Sequence, residues 1–349
     1  MNRLKQIVVT PYISRKLQIL SLVAIAFVVL QHSSYRVSTN CISGLLYRDL
    51  ISLGFADFPV PYFYIVSGFF FMKRFNASVS WYKGELTKRA KSLLLPYLVF
   101  CTLGLIVYRE YACRGPLDNY GITSLLPVVG PLWYVRTLFV LCVLSPLLIL
   151  TVNLMERSKV FRMCVLIALP LILAVRLPFQ SSIVAPLIYF TFGVFLSRHG
   201  VCLADIKPRN KIAVALSLAF ILTVIKTTHS IANPESEPIL RKAIIPETLV
   251  ILWYGYDLAY SKFSWVKTRI EKMPLILIKS TFFIYCTETF LRTFATWAIF
   301  TPLGLNKLMG RPVGALFMAF IVMFLAFILA QILNRLCPRL YAILSGGRG

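Results

Sequence analysis

Apolar residues run in long stretches along this chain, and the short connections between them hold most of its Lys and Arg. A membrane span needs roughly 20 apolar residues. Ten segments are candidates, at 17 to 35, 57 to 72, 92 to 108, 131 to 152, 160 to 175, 183 to 197, 211 to 226, 243 to 260, 275 to 298 and 312 to 334. Arg176-Leu177-Pro178 separates the fifth from the sixth. The connection from Thr227 to Lys242 holds Asn233-Pro234 and Glu237-Pro238, so it predicts a loop.

Composition supports this pattern. Of 349 residues, 58% are hydrophobic and 14% charged, against about half and about a quarter in a soluble domain. The predicted fold class is therefore all-α, a polytopic helical bundle of about ten transmembrane helices in a single domain over residues 1–349. No internal repeat argues for an inverted-repeat transporter.

The formal charge of +24 does not imply nucleic acid, because the cations sit in short clusters between apolar runs. Clusters of this kind fix topology and meet anionic lipid headgroups. With a cytoplasmic N-terminus, the cytoplasmic connections carry more than twice as many Lys and Arg as the opposite ones, so both termini are expected inside. No cleavable signal peptide is expected, since a short apolar stretch with a small-residue cleavage site is missing. The eight cysteines form no CxxC and no Cys/His pairing at ligand spacing, so neither a metal site nor a disulfide scaffold is expected. Cys41 and Cys113 both fall in connections expected outside, where a disulfide between them stays an open alternative.

Ionisable residues within spans are costly and mark candidate sites. At 1.5 Å per residue, His32 lies about 22 Å above Leu17, Glu288 about 20 Å above Leu275, and Arg136 about 7 Å below Pro131. A base, a carboxylate and a cation thus share one height. One reading is a structural Arg136–Glu288 ion pair with His32 bonded to a carbonyl. The other makes His32 a general base, with Glu288 orienting its imidazole and Arg136 stabilising developing negative charge. Asp257 and Lys279, at similar depth on the eighth and ninth spans, are expected to pair, and Arg292 to snorkel to the boundary.

The connection after the second span carries Lys73, Arg74, Lys83, Lys88, Arg89 and Lys91 against a single acid, Glu85. Lys88 and Lys91 share a helical face at i, i+3. Such a cluster suits the phosphates of a nucleotide-like cofactor, although phosphate-loop glycines are absent. Ser67-Gly68 is expected to serve close helix packing rather than nucleophilic chemistry.

Taken in order, several pieces resemble the integral-membrane acyltransferase-3 family, in particular the O-acetyltransferases of bacterial surface polysaccharides. They are Arg15-Lys16-Leu17-Gln18-Ile19-Leu20 leading to Gln31-His32-Ser33, Pro61 through Phe70, Trp81, Lys88-Arg89, Leu95-Pro96-Tyr97, Pro131 through Arg136, and Thr281-Phe282-Phe283-Ile284-Tyr285. The resemblance covers most of the chain. It implies transfer of an acyl group, usually acetyl, from cytoplasmic acyl-CoA to a hydroxyl of a lipid-linked or exported glycan. The implied setting is the bacterial cell membrane. Acetyl-CoA is then a co-substrate, and no metal is called for.

In that resemblance His32 matches the first-span histidine, Arg15 the basic residue at the start of that span, Lys88-Arg89 the coenzyme-binding patch, and Trp133 the tryptophan of the fourth span. Lys73, Arg74 and Lys91 extend the patch. The chain departs from many relatives in carrying Glu288 where they have histidine. The implied scheme keeps the coenzyme's phosphates at the basic patch while its thioester arm reaches toward His32. Direct attack by the acceptor hydroxyl and a covalent acyl-enzyme both remain open. A transporter or flippase for a glycan, lipid or acyl group is the alternative from another class, and a non-catalytic subunit of a glycan-assembly complex is a third.

Overall fold

Thr10 starts the first helix: its hydroxyl accepts from the Ile13 amide at 3.3 Å, and Pro11 takes the first helical position, where a missing N–H is harmless. This helix, α1 (Pro11–Ser33), opens a computed structural model that describes residues 10–52, 54–76, 78–107, 132–174, 183–198, 209–232 and 238–347. Among them there is no strand. The helices that follow are α2 (Ile42–Tyr47), α3 (Pro59–Lys73), α4 (Val79–Arg89), α5 (Leu95–Val107), α6 (Trp133–Arg157), α7 (Lys159–Ala174) and α8 (Ala185–Arg198). After these come α9 (Arg209–Ala232), α10 (Pro238–Lys262), α11 (Ser264–Lys272), α12 (Leu275–Lys279), α13 (Thr281–Ala295), α14 (Pro312–Leu336) and α15 (Pro338–Leu344).

A helix lies on each of the ten apolar segments, with two differences from the expected limits. The loop expected over 227–242 is largely helical, because α9 runs on to Ala232 and α10 begins at Pro238. The proline there starts a helix instead of excluding one, as its fixed φ suits a first turn. The ninth segment is broken at Ser280 between α12 and α13, where the Ser280 hydroxyl turns back to the Ile276 carbonyl. The Arg176-Leu177-Pro178 separation lies outside the described residues.

Among the described residues, four helical runs are long and apolar enough to cross a membrane: Pro11–Ser33, Ile42–Lys73, Trp133–Arg157 and Pro312–Leu336. Their exposed faces are apolar too. On α6 these are Val143, Leu147, Leu150 and Leu154, and on α14 Phe317, Phe320, Phe324 and Ile328. Apolar faces of this extent are stable against lipid, not water, and the chain is a membrane protein.

The described residues group into two units. One comprises the described residues of 60–198 and 337–347, the other those of 10–59 and 209–336. In the first, α3 and α8 meet at two glycines. A Cβ on Gly68 would stand 2.1 Å from the Phe190 carbonyl oxygen, and one on Gly193 would stand 2.1 Å from that of Ile65. The Ser67-Gly68 expectation of close packing holds at Gly68. Pro146 lacks the N–H that would meet the Cys142 carbonyl, and Ser145 supplies a hydroxyl to that carbonyl at 2.7 Å instead. Tyr82 on α4 donates to the adjacent Val143 carbonyl, tying α4 to the disturbed turn of α6.

In the second unit α14 buries Gly314, Ala315, Ala319, Ala326 and Ala330, small residues that let α1 and α13 pack closely against it. α9 and α10 lie along one another. Near the start of α1 the side chain of Lys16 is fully buried. Its Nζ donates to Asp257 Oδ2 at 2.7 Å and Oδ1 at 2.8 Å, and lies 3.8 Å from the centroid of the Trp253 ring. This corrects the expected Asp257–Lys279 pair. Lys279 is exposed, at the end of the short helix that the break at Ser280 separates from α13.

Candidate active site

His32 occupies the last turn of α1. Its Nδ1 lies 3.0 Å from Oε1 of Glu288 on α13. Glu288 is fully buried, and an ionised carboxylate can only accept, so Nδ1–H donates. That leaves Nε2 as the nitrogen able to take a proton. Nε2 has no hydrogen-bond partner among the described residues, and the His32 side chain keeps 30% of its surface accessible.

A buried carboxylate costs several kcal/mol unless its oxygens are matched. Oε1 of Glu288 also accepts from the Thr289 hydroxyl at 2.8 Å, while Oε2 makes no hydrogen bond among the described residues. Arg292, one turn further along α13, places Nη1 at 4.0 Å from Oε2 and donates to the backbone carbonyl of His32. The expectation that Arg292 merely snorkels is therefore corrected. The Glu288–Arg292 spacing of i, i+4 was the available signal, since it puts the two charges on one helix face.

Around this pair the end of α1 is polar. Gln31 Nε2 donates to Asp57 Oδ1 at 2.6 Å, and Ser34 shares a 2.9 Å hydrogen bond with Tyr47. The buried Lys226 donates to the carbonyl of Asp49, whose carboxylate accepts from Arg48 at 2.9 Å.

Arg136, the third residue expected at this height, is buried on α6 in the first unit, beside the phenol of Tyr97 and within electrostatic reach of Tyr64. Trp133 begins the same helix and is half-buried.

The basic connection resolves into two groups. Lys73, Arg74 and Arg89, with Val66, Ser67 and Phe70, line a cavity of about 360 Å³ in the first unit. Glu85 is buried beneath them, accepting from Arg89 at 2.8 Å and lying 3.8 Å from Arg74. One carboxylate thus orders two of the three cations and leaves the cavity positive. Lys88 and Lys91 are exposed and do not line it, so their shared helical face points elsewhere. Arg15 is engaged otherwise, donating to the carbonyls of Ile270 at 2.6 Å and Met273 at 2.8 Å, which caps the end of α11.

The acyltransferase-domain family matches residues 16–334, a stretch that contains the His32–Glu288 pair and the basic cavity. The chain belongs to the acyltransferase-3 family. This family member is also 27% identical over 307 residues, 83% of its own length and 79% of the relative's, to the succinoglycan biosynthesis protein ExoH of Rhizobium meliloti (strain 1021). No solved structure matches the acyltransferase.

Proposed function

We propose that the protein is a multi-pass acyltransferase of the bacterial cell membrane, with about ten spans and both termini cytoplasmic. It moves an acetyl or other short acyl group from cytoplasmic acyl-CoA to a hydroxyl of an exported or lipid-linked glycan. The observation that carries this reading is the buried Glu288 carboxylate on Nδ1 of His32, which leaves Nε2 as the free nitrogen of a partly exposed imidazole in a member of an acyltransferase family. The relative named for succinoglycan biosynthesis supports a polysaccharide acceptor.

In this mechanism Nε2 of His32 takes the proton of the acceptor hydroxyl as its oxygen bonds to the acyl carbon. The C–S bond of the thioester then breaks and the thiolate receives that proton. Glu288 holds the imidazole in the required tautomer and offsets the imidazolium charge. Arg136 is assigned the negative charge that develops on the acyl oxygen. Lys73, Arg74 and Arg89 hold donor phosphates, with Lys88 and Lys91 raising the local positive potential.

The test compares base-released acetate and other short acids from the surface glycans of cells carrying the intact protein, a deletion, or His32→Ala at equal membrane abundance. Loss of ester in both altered strains, with unchanged glycan amount, is expected. Unchanged ester in the variant would refute the role of His32, and loss of the glycan itself in the deletion would favour transport.

A further inference from the structure

Beyond His32 the chain leaves α1 through a short turn that presents Tyr35, with 61% of its surface exposed. Two guanidinium groups lie against its ring: Cζ of Arg36 is 5.2 Å from the centroid and Cζ of Arg292 is 5.4 Å from it. Such contacts are attractive through the ring quadrupole. They fix two cations around one aromatic surface only three residues from the proposed base.

The turn is held in place. Val37 N donates to the Ser34 carbonyl at 3.0 Å, and Ser38 N donates to the Gly310 carbonyl at 2.9 Å. Arg36 rests one nitrogen on the thioether of Met309 at 3.5 Å, a neutral and weak acceptor. Among the described residues no carboxylate pairs with Arg36. The nearby Glu288 is already matched by His32, Thr289 and Arg292. Arg36 therefore carries an uncompensated positive charge in ordered geometry, beside an Arg292 whose charge is shared with Glu288.

We propose that Tyr35, Arg36 and Arg292 form a subsite that binds a carboxylate on the acceptor saccharide, so that the enzyme acts on an acidic glycan. The inference rests on the reading of His32 as the base in acyl transfer to a glycan. A guanidinium meets a carboxylate through two parallel N–H donors, which gives orientation as well as attraction. The C–H face of a pyranose packs on the exposed part of the Tyr35 ring. Anchored at both points, the sugar presents a neighbouring hydroxyl to Nε2 of His32.

The experiment uses the full-length protein in detergent with acetyl-CoA. Its acceptors are oligosaccharides cut from the surface glycan of the source cells and freed of esters with base. Half of them have their carboxylates reduced to alcohols. The native protein should favour the unreduced acceptor by about tenfold in kcat/KM, the difference lying in KM. In Arg36→Gln that ratio should fall toward one, and Arg36→Lys should restore part of it. Measuring the ratio within each protein separates recognition from folding.

Equal use of both acceptors, or a source glycan without acidic residues, would overturn the subsite while His32-dependent turnover kept the acyl-transfer reading intact. Donor consumption no faster than in His32→Ala would overturn both. A last arm replaces acetyl-CoA with succinyl-CoA on the reduced acceptor. If Arg36→Gln slows only that reaction, the carboxylate belongs to the acyl group and the acceptor assignment falls.

Discussion

Nδ1 of His32 and Oε1 of Glu288 stand 3.0 Å apart, joining the last turn of α1 to the middle of α13 in one hydrogen bond with a fully buried carboxylate. The pair binds two helices far apart in sequence and fixes which imidazole nitrogen is free. Glu288→Gln keeps the size of the side chain and removes its charge. If Glu288 sets the tautomer, turnover should fall by about 100-fold or more, with little change in KM for donor or acceptor. Initial rates at equal membrane abundance check this, and a loss confined to KM would contradict it. Arg292→Ala should also lower turnover, because it frees the His32 carbonyl and leaves Oε2 without a nearby cation.

The Lys16–Asp257 pair is buried and further engaged by Tyr12, which donates to the same carboxylate. Removing one partner of such a pair leaves an unmatched charge, at a cost of about 3–5 kcal/mol. Asp257→Ala should lower the thermal midpoint in detergent and reduce membrane yield. Adding Lys16→Leu should recover much of the loss, because the stranded cation goes with it. A double variant no more stable than Asp257→Ala would contradict this account.

At Gly68 and Gly193 the backbones of α3 and α8 leave no room for a methyl group. Gly68→Ala and Gly193→Ala should each cost about 1–3 kcal/mol through forced backbone shifts. Both oppose the same pair of helices, so their effects should combine non-additively. Thermal unfolding of the two single variants and the double variant measures that coupling.

Cys41 is exposed just before α2, in a connection expected outside the cell. Hydrogen bonds from the Ser43 hydroxyl and the Gly44 amide, helped by the charge of Arg311, hold its thiol below the ordinary cysteine value. The thiolate is the reactive form, so alkylation at neutral pH should outpace that of an ordinary exposed thiol and quicken as pH rises. A membrane-impermeant maleimide applied to intact cells should label the protein at Cys41, and Cys41→Ser should remove that label. Labelling only after the cells are opened would reverse the proposed orientation. Cys113, its possible disulfide partner, lies outside the described residues.

Burial in lipid demands long apolar runs, so the sequence alone disclosed a helical membrane protein with a helix on each of ten apolar segments, but not the short helices α2, α4, α11 and α15 between and after them. It also singled out His32 and Glu288, since an ionisable residue within such a run needs a reason to be there. Depth along a helix follows from a fixed rise per residue, which is why height was legible. The direction in which a side chain points around the bundle was not. Helix rotation and breaks decided that Asp257 meets Lys16 and leaves Lys279 exposed, that Arg292 turns to His32, and that Lys73, Arg74 and Arg89 line a cavity without Lys88 and Lys91. Partner choice among buried charges depends on distances of a few ångströms, and only tertiary packing sets those.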